Sequence, residues 1–585
     1  MDVSPPDSLK SRIHDVDNKI LALKTFRNTL IPIGCLPSDI LSIIFLLLSK
    51  PPFKVPIKQK SRQKSQQKSR PSSPISISHV CHHWRDVSLN MHCLWSHIDS
   101  AELTPAGTAK MFARAKMAPL HLEVVTTGTC WSVKQDDVLV GHLNVHIHHI
   151  RHLSITGHSR YIGLMCEQLV SSAPSLEQLS ITGNSSELWP LVIPDNLFDG
   201  IAPKLTYLRL EHCGIRWESP LLKGLQVLKL FGSPLYAQTP LNAWLDALNQ
   251  MPQLERLSLY GPHGHIPCRS ETLLEPGFTV VLSSLKELDV FASAQDCIVV
   301  LAHLILPALT RLSVNAETRH LIDKTLRREL ISCIARNAYG PQDTEALQSL
   351  FIGGKGRAET VAWAMPRQDD TCDGFDFLVN LPDGIPLARV AFSAITYGSP
   401  RKIDSPPHDL LLSALPLNRI TSLTVKDCAS HCRRVWRRHA PRLHKLQRVR
   451  LFSTAVPAFR EMLENAPSGD PLLPSLEELV LVDVFFNAQK VHYLYNMLVK
   501  LVELEVQLTA LDLRACIACD RAVQLFSGIV DDVRGPRRRI PEEYGLGEMP
   551  LPLESWDIDK GSRYDCVDSD DPESDSDSDY GTSSE

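Results

Sequence analysis

One spacing of apolar residues dominates the chain. The pattern L-x-x-L-x-L, with Ile, Val or Phe allowed, starts at Ile150, Leu176, Leu205, Leu225, Leu254, Leu285, Leu309, Leu347, Leu387, Ile420, Leu446, Leu476 and Leu508. Successive copies are mostly 20 to 33 residues apart, with wider gaps near 347 and 387. Period-two alternation over the last four positions predicts a strand with its fourth and sixth positions facing inward. Helical stretches fall between copies, among them Ile162 to Ser172, Asn242 to Asn249, Cys297 to Ile305 and Phe459 to Asn465. Two further strands are expected earlier, around Trp95–Ile98 and Leu120–Val124.

Strand, loop and helix at such a period resemble leucine-rich repeats. A single unit of this kind cannot bury its apolar strand face, but stacked units bury a continuous core. Asn184, Cys213, Cys428 and Cys516 stand at one position just beyond the last apolar residue of the pattern, with Ser233, Ser293 and Thr454 as polar substitutes. In that family a residue there bonds loop backbone inside the turn. The resemblance implies an α/β solenoid, a horseshoe whose concave face holds a target protein. The residues assigned to that face are Tyr207, Arg209, Arg256, Tyr260, Phe291, Arg311, Arg448 and Arg450. Tyr, Phe and Arg are the types enriched at binding hot spots.

A different pattern occupies the start. Ile40, Leu41, Ile44, Phe45 and Leu48 form a helical stripe behind Leu36 and Pro37, and Ile77, Val80, Cys81, Trp84 and Val87 form another ahead of Leu94 and Trp95. Pro37 suits the first turn of a helix. Ile43, Leu46 and Leu47 add apolar surface on other sides, so a unit this small calls for a partner. Leu-Pro, Ile-Leu, Val-Cys-x-x-Trp-Arg and Leu-Trp in this order resemble an F-box of the fungal type. The resemblance implies a small all-α module whose Leu36, Pro37, Ile40, Leu41, Ile44, Val80, Trp84 and Leu94 make or brace contact with the Skp adaptor. Through that adaptor the chain would reach a cullin scaffold. The match covers roughly residues 31–100, and a long insert, Lys50 to Pro74, replaces the short loop usual in the family.

The expected organisation is therefore an N-terminal helix (1–30), an F-box-like domain (31–100, with a disordered basic insert over 51–75), a solenoid (101–520) and an extension (521–585) ending in a disordered acidic tail. Leu9, Ile13, Val16, Ile20, Leu23 and Phe26 recur near every 3.5 residues, as in a coiled-coil arm or a helix packed on the following module. Packing is the expectation, because stable coiled coils usually run three or four heptads. The insert has seven Lys or Arg between Lys54 and Arg70 and no acid. Such a composition cannot collapse. A solvated loop is preferred over an import signal or nucleic-acid contact. From Asp557 to Glu585 there are eleven acids and two basic residues, with Ser569, Ser574, Ser576 and Ser578 among the aspartates. Phosphorylation there would add charge to a soluble, extended tail.

Composition narrows the class. The 585 residues call for two domains or an array, and 43% hydrophobic content is ample for folded structure. A net charge of −5 points neither to general nucleic-acid binding nor to a membrane surface. The start lacks an apolar h-region, and no apolar run approaches the ~18 residues that span a bilayer. Fifteen cysteines in that setting read as reduced thiols, and the expected location is cytoplasmic, nuclear or both.

Three stretches invite catalytic or ligand chemistry. His142, His146 and His149 share helical spacing with metal-binding capacity, yet no carboxylate lies among them and the run enters a strand. Cys516 and Cys519 form a lone C-x-x-C, and Gly353-Gly354-Lys355-Gly356 lacks P-loop spacing. The basic run Arg433, Arg434, Arg437, Arg438, Arg442, Lys445, Arg448 and Arg450 divides between a helix and a strand. No cofactor and no catalytic set are expected. The resemblance implies a non-catalytic substrate receptor of a ubiquitin ligase, and the rival is an adaptor-independent interaction scaffold.

Overall fold

The computed structural model describes residues 7–49, 74–101, 103–126, 133–184, 191–232, 241–261, 279–318, 324–338, 348–353, 357–363, 390–396, 412–426, 432–465, 472–536 and 538–539. The basic insert, apart from its last residues, and the acidic tail lie outside these, as do Ser233, Gly354, Lys355, Gly356, Arg389 and Cys428.

Each of the thirteen pattern copies supplies a strand, and the result is a mixed α/β molecule built on a large, mainly parallel sheet. Strands Ile150–Thr156, Gln178–Thr182, Tyr207–Glu211, Val227–Phe231, Arg256–Tyr260, Glu287–Ser293 and Arg311–Thr318 pair in parallel, each with the next. Their inward positions line up across the strands as Leu179, Leu208, Leu228, Leu257, Leu288 and Leu312, all at most 1% exposed. Helices such as Ser159–Gln168, Leu241–Asn249 and Ala294–His303 cover that side with Ile162, Trp244 and Cys297.

A tight turn precedes the strands. The amides of Leu176, Leu205, Leu254, Leu285, Leu309, Ile420, Leu446 and Leu476 each donate to the carbonyl three residues earlier, on Ala173, Ala202, Met251, Leu282, Leu306, Leu417, Leu443 and Leu473. Most of those earlier side chains are buried too, so the repeat has one more apolar anchor than the six-residue pattern.

The repeat order breaks where the gaps widen. Val390–Thr396 pairs in parallel with Arg311–Thr318, and Ser349–Gly353 pairs in parallel with Ser422–Val425. Between them runs Arg357–Trp363, antiparallel to both neighbours. Three residues join Ser349–Gly353 to Arg357–Trp363, a loop length and glycine content that favour a hairpin over a crossover. Parallel stacking then resumes through Arg448–Phe452, Glu478–Phe485 and Ala510–Ala518. The sheet passes the expected limit at 520, because Asp532–Arg534 and Arg538–Arg539 pair onto Ala510–Ala518.

At the other end, both early strands form, as His97–Asp99 and Leu120–Val125, and they join the sheet in parallel. Helices Ser38–Ser49, Pro74–Ile77 and His82–Asn90 precede them. Trp95 lies fully buried at the junction, its Nε1 donating to the Ser88 carbonyl at 2.7 Å and the Arg114 guanidinium stacked 4.3 Å from its ring. The first helix, Asp7–Thr29, departs from expectation: it does not pack on the module, and every side chain from 11 to 27 is exposed. Its apolar stripe is narrow and flanked by Arg12, Lys19 and Lys24, whose ammonium and guanidinium groups a core would have to desolvate.

Replacing Trp95 by Ala removes a fully buried indole, and the expected loss is about 3–5 kcal/mol. Chemical denaturation followed by far-UV circular dichroism measures it. Arg114→Ala, which removes only the stacked cation, is expected to cost under about 1 kcal/mol.

Candidate protein-binding surfaces

The inward positions of each strand fix what the other face presents. On the open face the parallel register sets Tyr207, Val227, Arg256, Glu287 and Arg311 in one row. The next row holds Arg209, Lys229, Ser258, Asp289 and Ser313, and the third Glu211, Phe231, Tyr260, Phe291 and Asn315. Phe231 and Tyr260 stack at 4.6 Å, and Tyr260 and Phe291 at 6.0 Å. Arg209 lies 4.6 Å from the Phe231 ring and 2.9 Å from Glu211. Six of the eight sequence-assigned target residues therefore share this patch.

The arginines there are bound into the sheet. Arg256 pairs with Glu287 at 3.4 Å, and the buried Arg311 reaches Glu287 and Asp289 at 3.5 Å each. Lys229 has no ion-pair partner among the described residues: its Nζ sits 5.9 Å from the Tyr207 ring centroid. Burial, then Arg209, lower its pKa. Burial also raises the pKa of the Tyr260 hydroxyl. The patch thus offers an aromatic ladder and one weakly compensated ammonium inside a neutralised charge lattice.

Arg448 and Arg450 lie elsewhere, beyond the strands of the reordered segment. Arg448 pairs with Glu478 at 3.0 Å, which also receives Arg534 at 2.8 Å. Phe452, Val480 and Val482 form a small apolar cluster on this part of the open face, with Lys426 at 4.9 Å and Arg450 at 5.7 Å from the Phe452 ring. Burial works against ionisation of Asp512, but its hydrogen bonds from Arg514 prevail and its pKa is lowered. The basic run does not converge. Arg442 donates to the carbonyls of Leu412 and Leu415 at 2.7 Å each, and Arg437 stands 4.0 Å from Glu461 on the neighbouring helix.

The histidines divide as well. His142 and His146 stack on Phe112 at 5.4 and 4.8 Å, and His146 Nδ1 lies 3.0 Å from His149 Nε2. His152 instead faces the open side, where register places it beside His121 and His121 beside His97. Their ring centroids are 4.1 and 4.4 Å apart. The three lie on different strands, and only register brings them together. Burial, followed by the adjacent imidazoles, pushes His121 down to about 4; burial also lowers His97, and burial followed by Arg151 lowers His152.

Two cysteines at the repeat's turn position bond backbone, but that of the preceding repeat's strand and not of a loop. Cys213 Sγ donates to the Ile181 carbonyl at 3.4 Å and Cys516 Sγ to the Leu481 carbonyl at 3.2 Å. Burial raises both thiols to about 12, so neither is a nucleophile near neutrality. Ser293 caps the helix that follows it, accepting from the Asp296 amide.

The N-terminal helices form the second surface. Leu41 and Phe45 point inward, Phe45 meets Trp84 at 4.9 Å, and Leu94 is buried. Pro37, Ile40 and Val80 are exposed, while Leu36, Ile44 and Trp84 are half-buried. Ile31, Ile33, Ile43 and Leu47 add to this exposed apolar area, and more than half of the large exposed apolar side chains among the described residues lie before residue 81.

No family model matches the chain, and no curated protein matches it. Among solved structures, the leucine-rich repeat-containing protein LegL7 from Legionella pneumophila covers 70% of this chain and 88% of its own, at 12% identity and a TM-score of 0.20. The repeats of this chain are seen in its strand register and its buried leucine rows. No helix among the described residues is long and apolar enough to cross a membrane.

The histidine row has a pH signature. The folded-state pKa of His121 lies below the unfolded value of 6.5, so its contribution is complete above that value and is lost as pH falls towards 4. Urea midpoints measured between pH 7 and 4 are expected to fall, and less steeply in His121→Gln.

Proposed function

We propose that this protein is the substrate-recognition subunit of an SCF-type ubiquitin ligase. The N-terminal helices would bind the Skp adaptor, and the open face of the repeat sheet would bind a target protein. The observation that carries the reading is the division of the F-box-like positions. Leu41 and Leu94 hold the module together, whereas Pro37, Ile40 and Val80 project into solvent where a partner would cover them. Exposed apolar area of this kind, gathered in one region, marks an interaction surface.

The rest of the function follows from tethering. The adaptor links the chain to a cullin scaffold, a conjugating enzyme on that scaffold supplies ubiquitin, and the receptor raises the local concentration of target lysines. The receptor performs no bond chemistry in this reading. The close connection of the module to the sheet, with strand His97–Asp99 beginning two residues after Trp95, supports a fixed geometry between adaptor and target. The same connection favours the rival, an adaptor-independent scaffold in which the helices only cap the sheet.

Adaptor pull-down separates the two. The parent chain is expected to capture the Skp adaptor, and Ile40→Asp and Val80→Asp are expected to lose at least tenfold in affinity while keeping the parent's thermal midpoint, since both sites are exposed. A folded parent that captures no adaptor sinks the ligase reading and leaves the scaffold.

A further inference from the structure

Charge balance leaves one cation over on the open face. Arg209 pairs with Glu211 at 2.9 Å, Arg256 with Glu287 at 3.4 Å, and Arg311 with Asp289 at 3.5 Å. Lys229 lies in register between Arg209 and Ser258 and has no ion pair among the described residues. It is half-buried, so its ammonium has given up part of its water, with the Tyr207 ring 5.9 Å away. Burial first and Arg209 next hold its pKa below the ordinary lysine value, and the more distant Asp289 and Glu287 offset this only in part. Two residues further along the same strand begins the stacked row of Phe231, Tyr260 and Phe291, all half-buried. An apolar strip therefore crosses three strands, starting about 7 Å along the backbone from the uncompensated charge.

That combination selects a ligand. A wholly apolar segment would bury the ammonium with nothing to answer it, and a basic one would meet Lys229 and Arg209 as like charges. A carboxylate restores what burial took from Lys229 and matches its single charge. A phosphate carries about −1.5 to −2 charges and suits arginine forks, which acids already hold here. The ring strip spans two strand spacings, about 10 Å, the length of about three extended residues. We propose, on the reading of the open face as the target-binding surface, that this patch binds an extended segment of the target in which one Asp or Glu stands beside two or three aromatic or aliphatic residues. Lys229 fixes the acid at the Phe231 end, and the ring row takes the apolar side chains.

Panning a random dodecapeptide phage library on the immobilised full chain tests this, with the best peptide then synthesised for fluorescence anisotropy. The parent is expected to enrich an acid next to aromatic or aliphatic residues. Lys229→Met is expected to bind that peptide at least about tenfold more weakly at an unchanged thermal midpoint, and to lose the acid from its own selected sequences. Phe291→Ala is expected to keep the acid and lose the apolar preference. No enrichment, enrichment without acids, or a preference indifferent to Lys229→Met overturns the inference. A phosphoserine in place of the acid that binds more tightly overturns the single-charge assignment. Displacement of the peptide by a synthetic segment of residues 557–585 gives the site to the chain's own acidic tail and overturns a target. Adaptor pull-down separates this from the ligase reading. A parent that selects such peptides but captures no Skp adaptor refutes that reading alone, and one that captures adaptor but selects none refutes this inference alone.

Discussion

The structure depends on the inability of any one repeat to bury its own strand. Leu208 of one strand is flanked by the leucines in register beside it, Leu179 and Leu228, and the helices elsewhere in the repeats are too short to be stable alone. Burial is therefore a property of the stack, and both ends of the stack need an apolar cover with a polar outside. At the start, Leu94, Trp95 and the helical module provide the apolar cover, but their outer side is itself apolar at Ile40, Ile43, Leu47 and Val80. At the finish, Phe526 of the helix Asp520–Ser527 closes the core, and Arg534, Arg538 and Arg539 with Asp520 and Asp532 occupy the last edge. Charged side chains on an edge strand discourage pairing with another sheet.

The same ladder dictates the chemistry of the open face. Once the leucine rows are fixed, every second residue is displayed in register, about 4.8 Å from its counterpart on the next strand. Charges so close must alternate or repel, and Arg256, Glu287 and Arg311 alternate in one row. Glu478 lies between Arg448 and Arg534 in the other patch. These arginines hold strands together and have little binding capacity left over. What the lattice leaves weakly compensated is the Phe231–Tyr260–Phe291 ladder with Lys229 beside it.

This explains which parts of the molecule the sequence made legible. The thirteen strands were readable because their signal is local, six residues with a fixed alternation. The extra apolar anchor at Ala173, Met251 or Leu443 is equally local, three residues ahead of the six-residue pattern. Strand order across 348–426 was not readable from the repeat alone, although glycines 353, 354 and 356 between two alternating segments are a hairpin signal. The histidine row and the arginine pairing were beyond reach for a different reason. His97, His121 and His152 follow one another at intervals of 24 and 31 residues, and only the register between parallel strands makes them neighbours. For the N-terminal helix, the period was correct and the destination was not, because apolar spacing was weighed without the charges beside it.

The long insert between the two halves of the helical module has a cheap thermodynamic account. Residues 50–73 connect helix Ser38–Ser49 to Pro74–Ile77, where the family resembled by this module uses a short loop. Loop-closure cost rises only by about 0.6 kcal/mol per doubling of length, so going from a handful of residues to two dozen costs roughly 1.5 kcal/mol. The Phe45–Trp84 contact and the burial of Leu41 and Leu94 outweigh that several times over, at about 1.5–3 kcal/mol per buried large apolar side chain. Stability therefore places almost no restriction on the insert's length or composition. Its seven basic residues without an acid are unexplained by folding.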